Sequence, residues 1–182
     1  MVGPEDPSGH LHQKYSNSII GRYTNRVPVG THTVTRDGCT TQVTPQATVA
    51  TAPTISLHGG PHGFDTATFT PIPLDAASPS GSGPGSLFTA AELVTLQTAF
   101  PSGSCALFRH TSQDGDQGYP GTVLVEVVVG LLPPQSPGSN AEEYHLGSAV
   151  FIYRAKLVDE GKKVVTPINL TQVCFALYIR VH

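Results

Sequence analysis

The stretch Thr122-Val123-Leu124-Val125-Glu126-Val127-Val128-Val129-Gly130-Leu131-Leu132 is a run of strong strand formers, closed by Pro133-Pro134. β-Branched residues suit a pleated surface and lose side-chain freedom in a helix, so this run predicts a strand. Upstream, residues 105–111 predict another, joined to it by a Gly- and Asp-rich turn over 114–121. Downstream, residues 149–157 alternate Val150, Ile152 and Arg154 against Phe151, Tyr153 and Ala155, the period of a strand. The turn former Asp159-Glu160-Gly161-Lys162 then predicts a hairpin into a strand over 163–171.

The same reading extends towards the start of the chain. Thr89 followed by Glu92 is a capping box, and Leu93, Leu96 and Phe100 share one helical face, which predicts a short helix that stops at Pro101. Residues 31–35 alternate before Asp37-Gly38 and predict a hairpin. Thr54-Ile55-Ser56-Leu57 predicts a strand that runs into Gly59-Gly60-Pro61, placing His58 at a strand-to-loop junction. Residues 78–86 are low-complexity Ser, Gly and Pro, an insertion rather than a boundary. Residues 1–15 are polar and aperiodic and read as a flexible arm. The expectation is an all-β chain with one short helix.

The 182 residues allow one domain. Charged residues make up 13% of the chain against an ordinary ~25%, while 19 Gly and 16 Pro supply the punctuation that short strands need. A net charge of −3 without any Lys/Arg cluster argues against nucleic acid or an anionic membrane as a partner. No apolar run approaches the ~18–20 residues of a membrane span, and the acidic start lacks a signal-peptide core, so a cytoplasmic protein is expected. Cys39, Cys105 and Cys174 are odd in number and widely spaced, and they read as packed thiols. The sequon at Asn169-Leu170-Thr171 has no secretory context to act in.

Several residues invite a chemical reading. His58 and His62 have the spacing of a helical zinc pair, but Gly59-Gly60-Pro61 forbids the helix, and His10-x-His12 lies in the arm; no metal is expected. Residues 114–121 lack the alternating ligands and closing Glu of a calcium loop and read as a structural turn. On residue type alone, Arg26 is a solvated strand residue and His58 a capping or core histidine.

Four stretches combine polar groups with turn glycines: Gly21-Arg22-Tyr23-Thr24-Asn25-Arg26-Val27, Ser56-Leu57-His58-Gly59-Gly60-Pro61-His62-Gly63-Phe64-Asp65, Ser112-Gln113-Asp114-Gly115-Asp116-Gln117-Gly118-Tyr119-Pro120-Gly121, and Thr166-Pro167-Ile168-Asn169-Leu170-Thr171-Gln172. In order and approximate spacing, the series resembles the aldose 1-epimerase (galactose mutarotase) family. The resemblance implies an incomplete galactose mutarotase-like β-sandwich over residues 16–172, with residues 173–182 an unrelated tail. It further implies a free aldohexose, galactose or glucose, as substrate, whose α and β anomers interconvert without a cofactor. By the family motif Asn25, Arg26 and His58 bind the sugar and His58 supports proton transfer. Arg22 is expected to serve a structural ion pair, and Tyr119 to stack on the sugar.

The resemblance ends at Gln172. Where the family places its acid histidine, the chain has Val173, and the family's glutamate base comes from a distant C-terminal part that has no counterpart in this sequence. The expectation is therefore a family member truncated at both ends and impaired in activity, with a non-catalytic sugar-binding fragment as the alternative. Asn25, Arg26 and His58 are expected to converge on one concave polar face, and sheets cut at both ends are expected to leave the chain marginally stable. Any catalysis would call on substitutes such as His58 or Glu126.

Overall fold

A computed structural model describes residues 6, 8–9, 12, 14–74, 85–134, 147–158 and 163–172. The expectations for His10, for most of the low-complexity insertion, for the turn at 159–162 and for the 173–182 tail, Val173 and Cys174 included, lie outside the described residues. The chain is mostly β with a single α-helix among the described residues, as its sequence predicts. It divides into two compact units: one takes the chain up to Thr68, with 112–123 and everything from Leu157 onward, and the other takes 69–111 and 124–156.

The first unit is held by three two-stranded ladders. Strand β1 (Ile19–Ile20) pairs with β10 (Thr171–Gln172), β2 (Arg26–Pro28) with β5 (Ile55–Leu57), and β3 (His32–Arg36) with β4 (Cys39–Val43), all antiparallel. The β3–β4 hairpin turns at Asp37 and Gly38, both with positive φ (51° and 74°), the backbone that a two-residue hairpin loop demands and that Asp-Gly supplies. One expected strand is replaced. Residues 163–168 run without regular structure, Asn169 makes an isolated bridge to Tyr23, and only Thr171–Gln172 form a strand. Pro167 has no N–H to give a ladder and restricts Thr166 before it, while the Val165 N–H goes instead to Thr41 Oγ1 at 3.1 Å.

The second unit is built on a four-stranded sheet in the order β6 (Thr70–Ile72), β7 (Cys105–Ser112), β8 (Val123–Leu132), β9 (Ser148–Leu157). Every residue of β8 from Val123 to Val128 is buried, so the run that announced the strand is also its centre. Helix α1 (Ala90–Ala99) starts at the N-cap Thr89, whose hydroxyl accepts the Glu92 N–H while Glu92 Oε2 accepts the Thr89 N–H at 2.8 Å. Leu93 and Leu96 then pack with Phe88, Leu107, Val128 and Ile152 into the core of this unit. Each fully buried Leu or Val contributes roughly 1.5–3 kcal/mol. Among the described residues, no helix is long and apolar enough to cross a membrane.

Candidate functional site

Arg22 is the clasp of the first unit. Only 2% exposed, it donates from Nη1 to the carbonyls of Tyr119 (3.1 Å) and Pro120 (3.0 Å), and from Nη2 to those of Ser112 (3.1 Å) and Gln113 (2.8 Å). Its Nε and Nη2 also reach Ser112 Oγ, whose hydroxyl donates to the Asp116 carboxylate. A planar fork can serve both ends of a turn at once, which a single ammonium cannot. Arg22 is therefore structural, but the acceptors that hold it are backbone carbonyls and a hydroxyl where an ion pair was expected. The 114–121 stretch is a tight turn too: Asp114 Oδ1 accepts the Gly121 N–H at 2.6 Å, and Gly118 O accepts the Thr44 N–H at 2.9 Å.

The four polar, glycine-bearing stretches of the sequence are bonded to one another in this unit. Gly21 O accepts the Phe64 N–H at 3.0 Å, Arg22 O the Asn169 N–H at 3.0 Å, and Asn169 O the Thr24 N–H at 3.1 Å. Gln117 Oε1 accepts the His62 N–H at 3.0 Å.

Asn25 and His58 meet where the β2–β5 ladder ends. The register pairs Arg26 with Leu57, so Asn25 and His58 are the next pair outward. Both adopt left-handed backbone (φ 69° and 55°), which takes the two chains out of the sheet. For His58 that conformation costs about 1–3 kcal/mol, strain of the kind that concentrates at functional positions. Asn25 O accepts the His58 N–H at 2.9 Å, as a ladder would continue, but the Asn25 N–H goes to His58 Nδ1 at 3.2 Å. A backbone N–H can only donate. Nδ1 must accept, and neutral His58 carries its proton on Nε2.

The surroundings keep His58 neutral. Burial lowers its pKa below the ordinary 6.5, with Asp65 opposing and Arg26 and Lys14 reinforcing the shift. The Tyr15 ring stands edge-on to the imidazole at 4.8 Å between centroids, and Lys14 Nζ lies 5.2 Å from the Tyr15 ring centre. The histidine is thus half-buried between the 14–15 segment and its own loop, while Asn25 and Arg26 are exposed beside it.

Asp65 belongs to this cluster and sequence reasoning passed over it. Its side chain has no exposed surface, and Lys14 Nζ sits 3.7 Å from Oδ2. Burial raises its pKa above 3.8 and Lys14 opposes the rise. The signal in the sequence was its place at the end of the His58 stretch, but nothing in composition says that a loop carboxylate will be buried. Glu126, by contrast, is fully committed: Oε1 accepts from Arg109 Nε (2.9 Å) and Nη2 (2.5 Å), and Oε2 from the Ser86 hydroxyl and the Leu87 N–H, both at 2.8 Å.

A cavity of about 330 Å³ borders β2, lined by Tyr23, Arg26, His32, Tyr119 and Pro167 among others. Arg26 borders this cavity, whereas Asn25 and His58 are not among its lining residues. Tyr119 is 1% exposed, and burial pushes its hydroxyl pKa up. A second cavity, of about 490 Å³, is lined by Arg36, Asp37, Cys39 and Lys163. Its charged rim points to solvent, with Arg36 and Asp37 paired at 3.4 Å on side chains 80% and 90% exposed, so it lacks the converging polar groups of a binding site. Among the described residues no group of three or more His, Cys, Asp or Glu could hold a metal ion.

No protein-family model matches the chain, and no curated protein does either. A solved structure does resemble it. That structure, a GalM/aldose epimerase homologue from C. elegans, is 20% identical, with a TM-score of 0.34, over 62% of this chain. The chain spans 24% of that protein's length.

Proposed function

We propose that this chain is of the aldose 1-epimerase kind and binds a free aldohexose, galactose or glucose, through Asn25, Arg26 and His58. One observation carries the reading: the imidazole of His58 is fixed at the end of the β2–β5 ladder by the Asn25 N–H on Nδ1, which leaves Nε2–H as a hydrogen-bond donor of defined direction. A hexose needs such directional groups, and the Arg26 guanidinium beside it suits vicinal hydroxyls because its donors are fixed in a plane. The mutual bonding of the four family-like stretches supports the same reading. The fold this implies is part of a galactose mutarotase-like β-sandwich spanning residues 16–172, and the free thiols of Cys39 and Cys105 suit a reducing, cytoplasmic setting.

Mutarotation takes a proton from the anomeric hydroxyl and gives one to the ring oxygen; the ring opens, the C1–C2 bond turns, and closure on the other face returns both protons. Neutral His58 supplies a hydrogen bond to the ring oxygen and steadies the charge that develops there. Val173, which follows the fourth stretch, has no proton to give. An acid at that position contributes about 10²–10⁴-fold, so turnover by this sequence is expected to be weak.

The second reading is sugar binding without catalysis. It is favoured by the engagement of Nδ1, because a histidine that must keep Nδ1 unprotonated does not cycle protons freely. Saturation-transfer NMR with galactose and glucose tests binding, and polarimetry of fresh α-galactose tests turnover. Hexose signals that respond to the protein and vanish in His58→Ala are expected. No transfer to either hexose overturns both readings, and acceleration proportional to protein overturns the second.

A further inference from the structure

The cavity of about 330 Å³ beside β2 is formed entirely within the first unit, and the hexose reading leaves it unused apart from Arg26. Pro28, Pro45 and Pro167 contribute their rings to its lining, and Tyr23 and Tyr119 add aromatic ones. A mostly apolar pocket of about 300–1,000 Å³ with a few placed polar groups is the usual form of a small-molecule site. Its charge is of one sign. Arg26 lines the cavity, no Asp or Glu does, and no carboxylate pairs with the Arg26 guanidinium among the described residues. His32, the other basic residue there, is already used: a carbonyl can only accept, so Nε2–H donates to Pro28 O at 2.7 Å. Tyr119 and Ser56 are each 1% exposed and their hydroxyls are neighbours, yet neither completes a hydrogen bond among the described residues. A buried hydroxyl left this way is costly and rare, and Tyr119 belongs to the wall of a cavity whose charge is positive. A carboxylate accepts from both a guanidinium fork and a phenol O–H, whereas a cation or an alkane uses neither.

We propose that this cavity is a binding site for a small aromatic carboxylate, its ring held among the proline and tyrosine rings and its carboxylate on the Arg26 guanidinium and the Tyr119 hydroxyl. Rings in the lining favour a planar ring over an alkyl chain, because aromatic faces and edges stack with a defined geometry. Arg26 rather than His32 carries the charge, since its planar donors match the two oxygens of a carboxylate. The inference stands apart from the hexose reading: Asn25 and His58 do not line the cavity, and Arg26 alone is common to both.

The test is calorimetric titration of the intact chain, at fixed ionic strength, with three probes. These are benzoate, benzamide, which keeps the ring and loses the charge, and cyclohexanecarboxylate, which keeps the charge and loses the flat ring. Benzoate is expected to bind, benzamide about tenfold or more weakly, and cyclohexanecarboxylate about threefold or more weakly. Arg26→Gln should bring benzoate down to the level of benzamide, and Val34→Phe, at a lining residue, should fill the cavity and remove benzoate binding. His58→Ala, which the hexose reading requires to lose sugar, should leave benzoate binding unchanged. No benzoate binding overturns the site. Equal affinity for benzamide overturns the role of Arg26, and equal affinity for cyclohexanecarboxylate overturns the aromatic ligand. Benzoate binding that survives Val34→Phe, or that is lost in His58→Ala, puts the ligand elsewhere and overturns the proposal. The three-probe comparison in wild type stands even where a variant does not fold, and it is untouched if no hexose binds, so the two readings fail separately.

Discussion

Asn25 and His58 hold each other by two hydrogen bonds of different kinds, one between backbones at 2.9 Å and one from the Asn25 N–H to the imidazole Nδ1 at 3.2 Å. The side chain takes the place that a ladder carbonyl would occupy. Protonation of Nδ1 would break that bond, which joins the acid–base state of His58 to the integrity of the β2–β5 ladder.

A pH dependence follows. The folded pKa of His58 lies below the 6.5 of the free side chain, so between the two values the unfolded chain binds more protons. Stability therefore rises with pH through this window and is lost as pH falls below about 6.5. Thermal melts across about pH 5–8 should show this loss in wild type and a flatter profile in His58→Gln. Equal slopes for the two proteins would refute it. Asp65, with a raised pKa, acts in the opposite sense from 3.8 upward, which is why the comparison is made against wild type rather than read from one curve.

Gly118 and Gly115 both have positive φ, 85° and 83°, yet a Cβ on Gly118 would lie 1.8 Å from Thr44 O while one on Gly115 meets nothing within 4 Å. Gly115→Ala should cost about 1–2 kcal/mol from backbone strain alone. Gly118→Ala should cost roughly 3 kcal/mol or more, because the Thr44 O it strikes is backbone of a residue whose N–H is already bonded to Gly118 O. Urea unfolding of the two variants gives the comparison, and similar midpoints would contradict the close approach.

Arg22→Lys should destabilise the first unit by about 3 kcal/mol in the same assay, since one ammonium cannot reach the Tyr119–Pro120 and Ser112–Gln113 carbonyls together and leaves buried acceptors bare. A loss below about 1 kcal/mol would mean that the fork is dispensable.

Glu92 is held to a pKa of about 2 by the Arg154 guanidinium first and by the Thr89 backbone and hydroxyl next. Its folded pKa is depressed from 4.5, so its contribution is present above that value and is lost as pH falls towards about 2. Glu92→Gln should lower the melting temperature at neutral pH and converge with wild type in acid. A gap that persists unchanged at the lowest pH would refute the assignment. Thr89→Ala should remove the cap and cost about 1 kcal/mol.

Local chemistry alone determined much of this protein. The capping box at Thr89 and Glu92, the stop at Pro101, the Asp37-Gly38 turn and the β-branched run from Val123 are decided by a few neighbouring residues, and each is where the sequence puts it. The position of His58 at the end of a strand follows from Gly59-Gly60-Pro61 in the same way. The strand expected over 163–171 fails because Pro167 and the Thr41 contact are not visible to a propensity count.

Tertiary structure decided which polar groups are buried and what answers them. Arg22 looks like any exposed arginine until the 112–120 turn closes around it across some ninety residues of chain. Asp65 and Glu126 are both acidic residues in apolar company, yet one is saturated and the other is left beside a single lysine; only the meeting of distant segments distinguishes them. The tautomer of His58 is likewise a tertiary fact, since Asn25 lies 33 residues away and the pairing of β2 with β5 brings its N–H to Nδ1. Turns and caps are contacts between near neighbours and can be read in order, whereas a buried charge depends on which remote groups arrive to meet it.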